Sequence, residues 1–338
     1  PIAPSRSTAS FTPLARLYPK PVSGTVAPAP PNFSAALPLP YLLFANSEKR
    51  RSVYKFKPIL KTLVWGTENW VLSAVPGDES VVAEGPEAGR SITDIYPGRF
   101  PLLIKFIDAH QDLSIQVHPD DELAMKRYGQ NGKTEMWFIT GSEPGGHLYS
   151  GLQAEINPEK YVELVKRDEI VTVLADHKVT PGDVFFLPAG RIHALCGGCQ
   201  LAEIQQTSDL TYRIYDYNRP GLDGKPRQLH TEQAKDAIDY SVSPDYRTHY
   251  VSKPNEENTV VKCPYFTPSV FEINSPVTKS LEGCGDFLVV IGLEGDTTLK
   301  TSSETLSLKP GECILVPASD GSVQIVPEGS AKLLTTHC

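Results

Sequence analysis

Beyond residue 53 the chain runs in short stretches where apolar and polar positions alternate, each closed by glycine, proline, asparagine or aspartate. A period of two bounded by turn residues predicts β-strands. Strands are expected over Leu60–Trp65 and Asn69–Val75, joined by Gly66-Thr67-Glu68, and then over Phe100–Ala109, Leu113–His118 and Lys133–Phe138. Further strands are expected over Val184–Leu187, Gln200–Gln206, Asp286–Leu293 and Glu312–Pro317. Few segments carry helical spacing. One short helix is expected near Ile92–Tyr96, and another begins at Pro119-Asp120-Asp121-Glu122 and runs through Leu123–Tyr128 to stop at Gly129. Asn157 caps a third that reaches Val165, and a fourth covers Thr231–Ile238.

A turn-strand-turn unit, Pro181-Gly182-Asp183 through Leu187-Pro188, is echoed by Pro310-Gly311-Glu312 through Val316-Pro317. The first copy runs on to His193; the second has no histidine after its proline. The chain therefore reads as mainly β, with a metal-binding domain over 53–245, helical insertions included, and a smaller metal-free domain over 255–338. Residues 1–52 differ in kind, being rich in Pro, Ala and Ser without a sustained period, so little fixed structure is expected there. Ala35–Ala45 imitates the apolar core of a signal peptide, but Pro38, Pro40 and the following Glu48-Lys49-Arg50-Arg51 speak against that reading. The expectation is a disordered or non-native extension, with Val53 at an alternative start.

At 338 residues and 40% hydrophobic content the chain has room for two domains of an ordinary soluble type. The net charge of −8 argues against a nucleic-acid partner or an anionic membrane, either of which needs a basic face. No run reaches the roughly 18 apolar residues that a membrane helix requires. Of six cysteines only Cys196-Gly197-Gly198-Cys199 has a suggestive spacing, and with no second such pair the thiols read as structural, in a reducing cytoplasm.

Strand parity brings chemistry into this frame. Positions two apart project from one face, so Gln116 and His118 point one way while Ile115 and Val117 point the other. The same rule puts Lys133, Glu135 and Trp137 on one face, and a lone carboxylate in so apolar a strand is costly unless compensated. His193 follows at once upon the second turn of the Pro181–Gly190 unit, which fixes where it lands. Gln116, His118, Glu135 and His193 form a mixed nitrogen and oxygen set suited to Zn2+, with Fe2+ and Mn2+ as competitors. His110, His147, His177, His230, His249 and His337 have no such context. From residue type alone, Lys133 is a surface lysine or a partner of Glu135, Asp209 and Arg213 are an ion pair or site residues, and Arg219 is a cation for an anionic ligand or half of a salt bridge.

Gly182 through His193 resembles the second motif of the cupin superfamily, and Gln116-Val117-His118-Pro119 followed by Lys133-Thr134-Glu135 is similar to the type I mannose-6-phosphate isomerases. Leu102–Ile107, Ser114–Asp120, Gly132–Phe138 and Asp209–Arg219 resemble the short bacterial branch of that family; members carry a longer segment where this chain has Gly66-Thr67-Glu68. The resemblance implies two cupin-like jelly-roll barrels with a few short helices. It also implies one Zn2+ per chain on Gln116, His118, Glu135 and His193, and interconversion of phosphorylated hexoses, mannose 6-phosphate and fructose 6-phosphate, through a cis-enediol. It assigns Arg213, Lys133 and Asp209 to the active site, Lys133 as a phosphate ligand or proton shuttle. The alternatives are a non-catalytic sugar-phosphate-binding cupin and an Fe2+-dependent cupin oxygenase.

Overall fold

The computed structural model of the protein describes residues 52–98 and 100–338. The expected N-terminal extension, residues 1–52, lies outside them except for its last residue. Four sheets of four or more strands, all antiparallel, carry the architecture, with four α-helices among the described residues. None of these helices is long and apolar enough to cross a membrane.

The first half of the described chain builds two sheets that face each other. A five-stranded sheet runs in the order Leu174–Lys178, His147–Leu152, His193–Leu195, Ile115–Val117 and Tyr212–Tyr215. A six-stranded sheet runs in the order Val184–Leu187, Glu135–Ser142, Cys199–Gln206, Leu102–Ala109, Gly66–Leu72 and Ile59–Leu63. Trp137, Ile139, Ile107 and Leu201 from the six-stranded sheet pack with Leu148 and Leu195 from the five-stranded one in a shared core. The outer face of the five-stranded sheet, with Ile115, Val117, Ala194 and Ile214, is covered by the helices Pro158–Lys166 and Thr231–Ala237 through Tyr161, Leu164 and Ala234.

The C-terminal part adds a second pair. Its six-stranded sheet contains Phe287–Glu294, Cys313–Pro317, Ala331–Thr336 and Ser269–Ile273, and its four-stranded sheet contains Val277–Ser280, Ser322–Pro327, Thr297–Lys300 and Thr305–Leu308. The two six-stranded sheets turn their remaining faces to one another: Leu102, Ile104, Met136, Phe138 and Ile204 share a core with Val289, Ile291, Leu315 and Leu334. Both faces of these strands are thus buried, which is why their sequences read as nearly continuous apolar runs and not as clean alternation. The first strand, Tyr54–Lys55, pairs with Leu315 and Ile314 in the C-terminal sheet.

Helix ends follow the sequence signals. Ser91 and Asp94 form a reciprocal capping box on Ile92–Ile95, Asp120 accepts the Leu123 amide at 2.8 Å on Asp121–Tyr128, and Gly129 ends that helix in the left-handed region (φ 64°). One connection departs from expectation. Gly66-Thr67-Glu68 is not a turn but the start of the Gly66–Leu72 strand, and the turn falls on Val64-Trp65, between the paired residues Leu63 and Gly66. The apolar turn hides in the pattern because Trp65 is buried in the core. Gly66 stands in a strand because the neighbouring backbone leaves no room for a side chain: a Cβ there would come within 2.0 Å of the Asp108 carbonyl oxygen.

Gly66→Ala is therefore expected to lower the unfolding free energy by about 1–3 kcal/mol, the usual cost of overpacking. Gly77→Ala, also at positive φ (89°) but with nothing within 4 Å of its Cβ, controls in urea titrations for the backbone strain apart from the clash.

Candidate metal centre and active site

The facing of the two sheets brings the ligand candidates together. In the five-stranded sheet His193 lies directly across from Gln116 on one side and Arg213 lies across from Gln116 on the other. His118 follows one residue after the Ile115–Val117 strand, and Glu135 opens the strand of the opposing sheet. His118, Glu135 and His193 are 2%, 0% and 1% exposed, and their ligand atoms lie within 4.8 Å of one another.

The imidazoles are oriented from behind. His118 Nδ1–H donates to the Leu210 carbonyl at 2.9 Å, and His193 Nδ1–H donates to the Arg191 carbonyl at 2.8 Å. Both Nε2 atoms are thereby left with a lone pair aimed at Glu135, at 3.5 Å from Oε2 for His118 and 3.1 Å from Oε1 for His193. This is the outer-shell arrangement that prepares histidine to bind a metal. The Gln116 amide lies 3.3 Å from His193 Nε2, and turning it over presents its oxygen to the same point. Trp137 stands edge-on to His193 at 5.3 Å.

The donor set fits a cation. His118 Nε2 and both Glu135 oxygens are buried with no well-aligned hydrogen bond, only Oε2 having an ion pair, to Lys133, and a bound divalent ion would relieve that cost. Burial, followed by the Lys133 charge, lowers the His118 pKa to about 3, so the imidazole is in its neutral, ligating form at ordinary pH. Burial pushes Glu135 the other way, yet the Lys133 ammonium beside it overcomes this and holds the carboxyl well below its usual range. Two nitrogens, a carboxylate and an amide oxygen are chemistry suited to Zn2+.

A row of charge extends from the ligands along the inner face of the six-stranded sheet. Lys133 Nζ sits 2.9 Å from Glu135 Oε2 and 3.9 Å from Glu203 Oε1. Lys105 Nζ sits 3.1 Å from Glu203 Oε1 and 3.9 Å from Glu68 Oε2. Trp137 Nε1 donates to Glu203 Oε2 at 2.7 Å. Burial works against the Lys105 charge, but Glu203 and then Glu68 raise its pKa above the ordinary lysine value. Lys105 and Glu203 were not among the residues expected from sequence. Part of the signal was present: Glu203 is the single charge of Cys199–Gln206, and Lys105 interrupts the apolar run from Leu102 to Ile107.

The remaining expected residues lie further out. Arg213 is half-buried, its Nη1 donates to the Gln228 carbonyl at 3.0 Å, and its Nε has no partner. Burial, then Arg227, lowers its pKa. Arg219 and Arg227 both bind the Asp216 carboxylate, which is 5% exposed, so three guanidiniums gather around one acid. Asp209 is exposed, on the turn whose next residue supplies the Leu210 carbonyl to His118, and its charge acts on Lys105. Arg213 and Asp209 do not form the local ion pair that their spacing allowed; Arg213's carboxylate neighbour is Asp216.

Comparison with known proteins agrees with this geometry. Residues 67–178 match the family model for the catalytic domain of type I phosphomannose isomerase, and residues 256–338 match that for the mannose-6-phosphate isomerase cupin domain. Mannose-6-phosphate isomerase ManA of Bacillus subtilis is 32% identical over 312 residues, covering 83% of this chain and 98% of that protein. The crystal structure of the Bacillus subtilis mannose 6-phosphate isomerase is 31% identical, with a TM-score of 0.78 over 85% of this chain and 100% of that one. A zinc-bound mannose 6-phosphate isomerase structure, 17% identical, shares the fold with a TM-score of 0.67 over 85% of this chain and 99% of that one. With facing β-sheets, cupin motifs and a buried His-Glu-His centre between them, the chain is an isomerase that belongs to the type I phosphomannose isomerase family.

Proposed function

We propose that the protein interconverts mannose 6-phosphate and fructose 6-phosphate through a cis-enediol, with one zinc ion per chain on Gln116, His118, Glu135 and His193. The observation that carries this reading is the convergence of the buried ligand atoms of His118, Glu135 and His193 within 4.8 Å of one another, beside two buried lysines. Zinc bound there supplies a Lewis acid for the negative charge that develops on the sugar oxygens.

The chain's own residues do the rest. Lys133, held between Glu135 and Glu203, is placed to donate to a sugar oxygen and to move a proton during ring opening. Glu203, whose Oε1 lies 3.1 Å from Lys105 Nζ and 3.9 Å from Lys133 Nζ, is a second candidate for proton transfer through these lysines. Arg213 neighbours Gln116 on the same sheet and stabilises the developing oxyanion or positions the open chain. Asp209, at the exposed rim, is the remaining candidate for ring opening. Arg213, Arg219 and Arg227 exceed the single charge of Asp216 by two, three less one, and that excess suits the substrate phosphate. Phosphate binding away from the reacting carbons contributes energy that orients them.

In the same reading, residues 53–245 are the catalytic domain, residues 255–338 are a metal-free cupin-like support, and six free thiols agree with a cytoplasmic setting. The test is turnover of mannose 6-phosphate to fructose 6-phosphate before chelation, after chelation and after zinc is restored. Activity lost and regained is the expected result; undiminished turnover by metal-free protein, or iron with oxygen uptake, overturns it.

A second expectation concerns acid. The folded His118 pKa of about 3 lies below its ordinary value of 6.5, so between these values the unfolded chain binds a proton that the folded one refuses. Stability of the metal-free protein therefore rises with pH across that window and is lost as pH falls, and Glu135, also held low, adds to the loss below 4.5. Urea midpoints of metal-free protein at pH 7, 5.5 and 4.5 measure the slope. His118→Gln is expected to flatten it above pH 4.5; an unchanged slope rejects the assignment.

A further inference from the structure

Asp121, the first residue of the Asp121–Tyr128 helix, gathers three donors from three separate parts of the chain. Its Oδ1 accepts the Gly132 amide at 2.7 Å and Gln206 Nε2 at 3.1 Å, and its Oδ2 accepts the Tyr265 hydroxyl at 2.8 Å. Gly132 belongs to the segment that leads into Glu135, Gln206 ends the strand of Glu203, and Tyr265 comes from the C-terminal part that holds none of the candidate ligands.

The hydrogen bonds behind Asp121 lead to the site. Gln206 Oε1 accepts the Thr134 amide at 2.8 Å, and Thr134 stands between Lys133 and Glu135. The Lys133 amide donates to the Pro119 carbonyl at 3.0 Å, so the segment before Glu135 is laid against the segment after His118. The fit leaves no slack, for a Cβ on Gly132 would lie 2.5 Å from the Asp120 carbonyl carbon. Ser208 Oγ donates to the Asn131 carbonyl at 3.0 Å and accepts the Leu210 amide at 3.3 Å, and Leu210 is the residue whose carbonyl orients His118.

We infer that Tyr265 is a positioning residue for the isomerase: its hydroxyl fixes Asp121, and Asp121 fixes the 131–134 backbone that aims Lys133 and Glu135. The metal-free part of the chain thereby has a stake in the reaction. The inference rests on the isomerase and zinc reading given above. Removing the hydroxyl leaves Asp121 Oδ2 unpaired and free to turn towards water, which withdraws the acceptor from Gly132 and Gln206 together. Loss of an outer-shell partner typically costs about 10–100-fold in metal affinity or activity.

The experiment is Tyr265→Phe, which keeps the ring and its packing, measured in three ways. Amide hydrogen exchange at Gly132 and Thr134 is expected to quicken about tenfold or more, while the Phe287–Glu294 strand keeps its wild-type rates. Zinc affinity, by competition with a chelator, is expected to fall about tenfold, and kcat for mannose 6-phosphate by a similar factor with KM within about twofold. Combined with Asp121→Asn, Tyr265→Phe is expected to add almost nothing, since both act through one carboxylate. Unchanged exchange and zinc affinity in Tyr265→Phe overturn the inference, as does uniformly faster exchange that includes Phe287–Glu294. If Asp121→Asn does not fold, the exchange pattern of Tyr265→Phe alone decides. A wild-type protein without turnover defeats the isomerase reading and leaves the exchange and zinc measurements to judge Tyr265.

Discussion

The structure around the site depends on the burial of one carboxylate. Glu135 is fully enclosed, and a charge in that position is tolerated only when opposite charge and oriented donors surround it. Lys133 answers at 2.9 Å, while the two imidazoles, held from the far side by backbone carbonyls, turn Nε2 lone pairs inward, where a bound cation would complete the compensation. Each compensating group needs a fixed strand beneath it. The demand for compensation therefore reaches into the register of both facing sheets, where a slip of one residue would send Gln116 and His193 to the helix-covered face.

Rigidity at that register comes from burial on both sides. The six-stranded sheet that carries Glu135, Glu203 and Lys105 has its other face sealed by Val289, Ile291, Leu315 and Leu334 of the C-terminal sheet. The five-stranded sheet has its outer face sealed by two helices. A charged row on an inner face is expensive, and close apolar contact behind it holds the charges at their separations. Packing of this kind supplies precision as well as stability, since side chains in dense cores stay in their rotamers.

Much of this was legible in the chain. Alternation around Gln116 and His118, and the turn before His193, pointed to a shared face because the side-chain period of a strand is two. Helix starts were legible where a cap and a proline coincide, as at Asn157-Pro158. Gly66 was misread because a glycine required by a neighbouring backbone looks the same in sequence as one required by a turn. Lys105 and Glu203 went unremarked because their strands are apolar on both faces, which erases the alternation that would have marked them as inward. The Asp121 junction was beyond reach, since its donors lie 11, 85 and 144 residues away and nothing local signals the contact.

The charge along the inner row accounts for the order in which the site can fill. Glu135, Glu203 and Glu68 carry three negative charges against two positive charges on Lys133 and Lys105, a balance of minus one with the imidazoles left aside. That deficit favours a cation before any anion. A divalent ion reverses the balance to plus one, and Arg213 beside Gln116 then adds to a field that attracts a dianionic sugar phosphate. Without the ion, the same substrate would approach a buried negative charge. Under the zinc reading proposed above, this balance favours metal first and sugar phosphate second, and the lysines between the carboxylates offset most of the negative charge on the inner face.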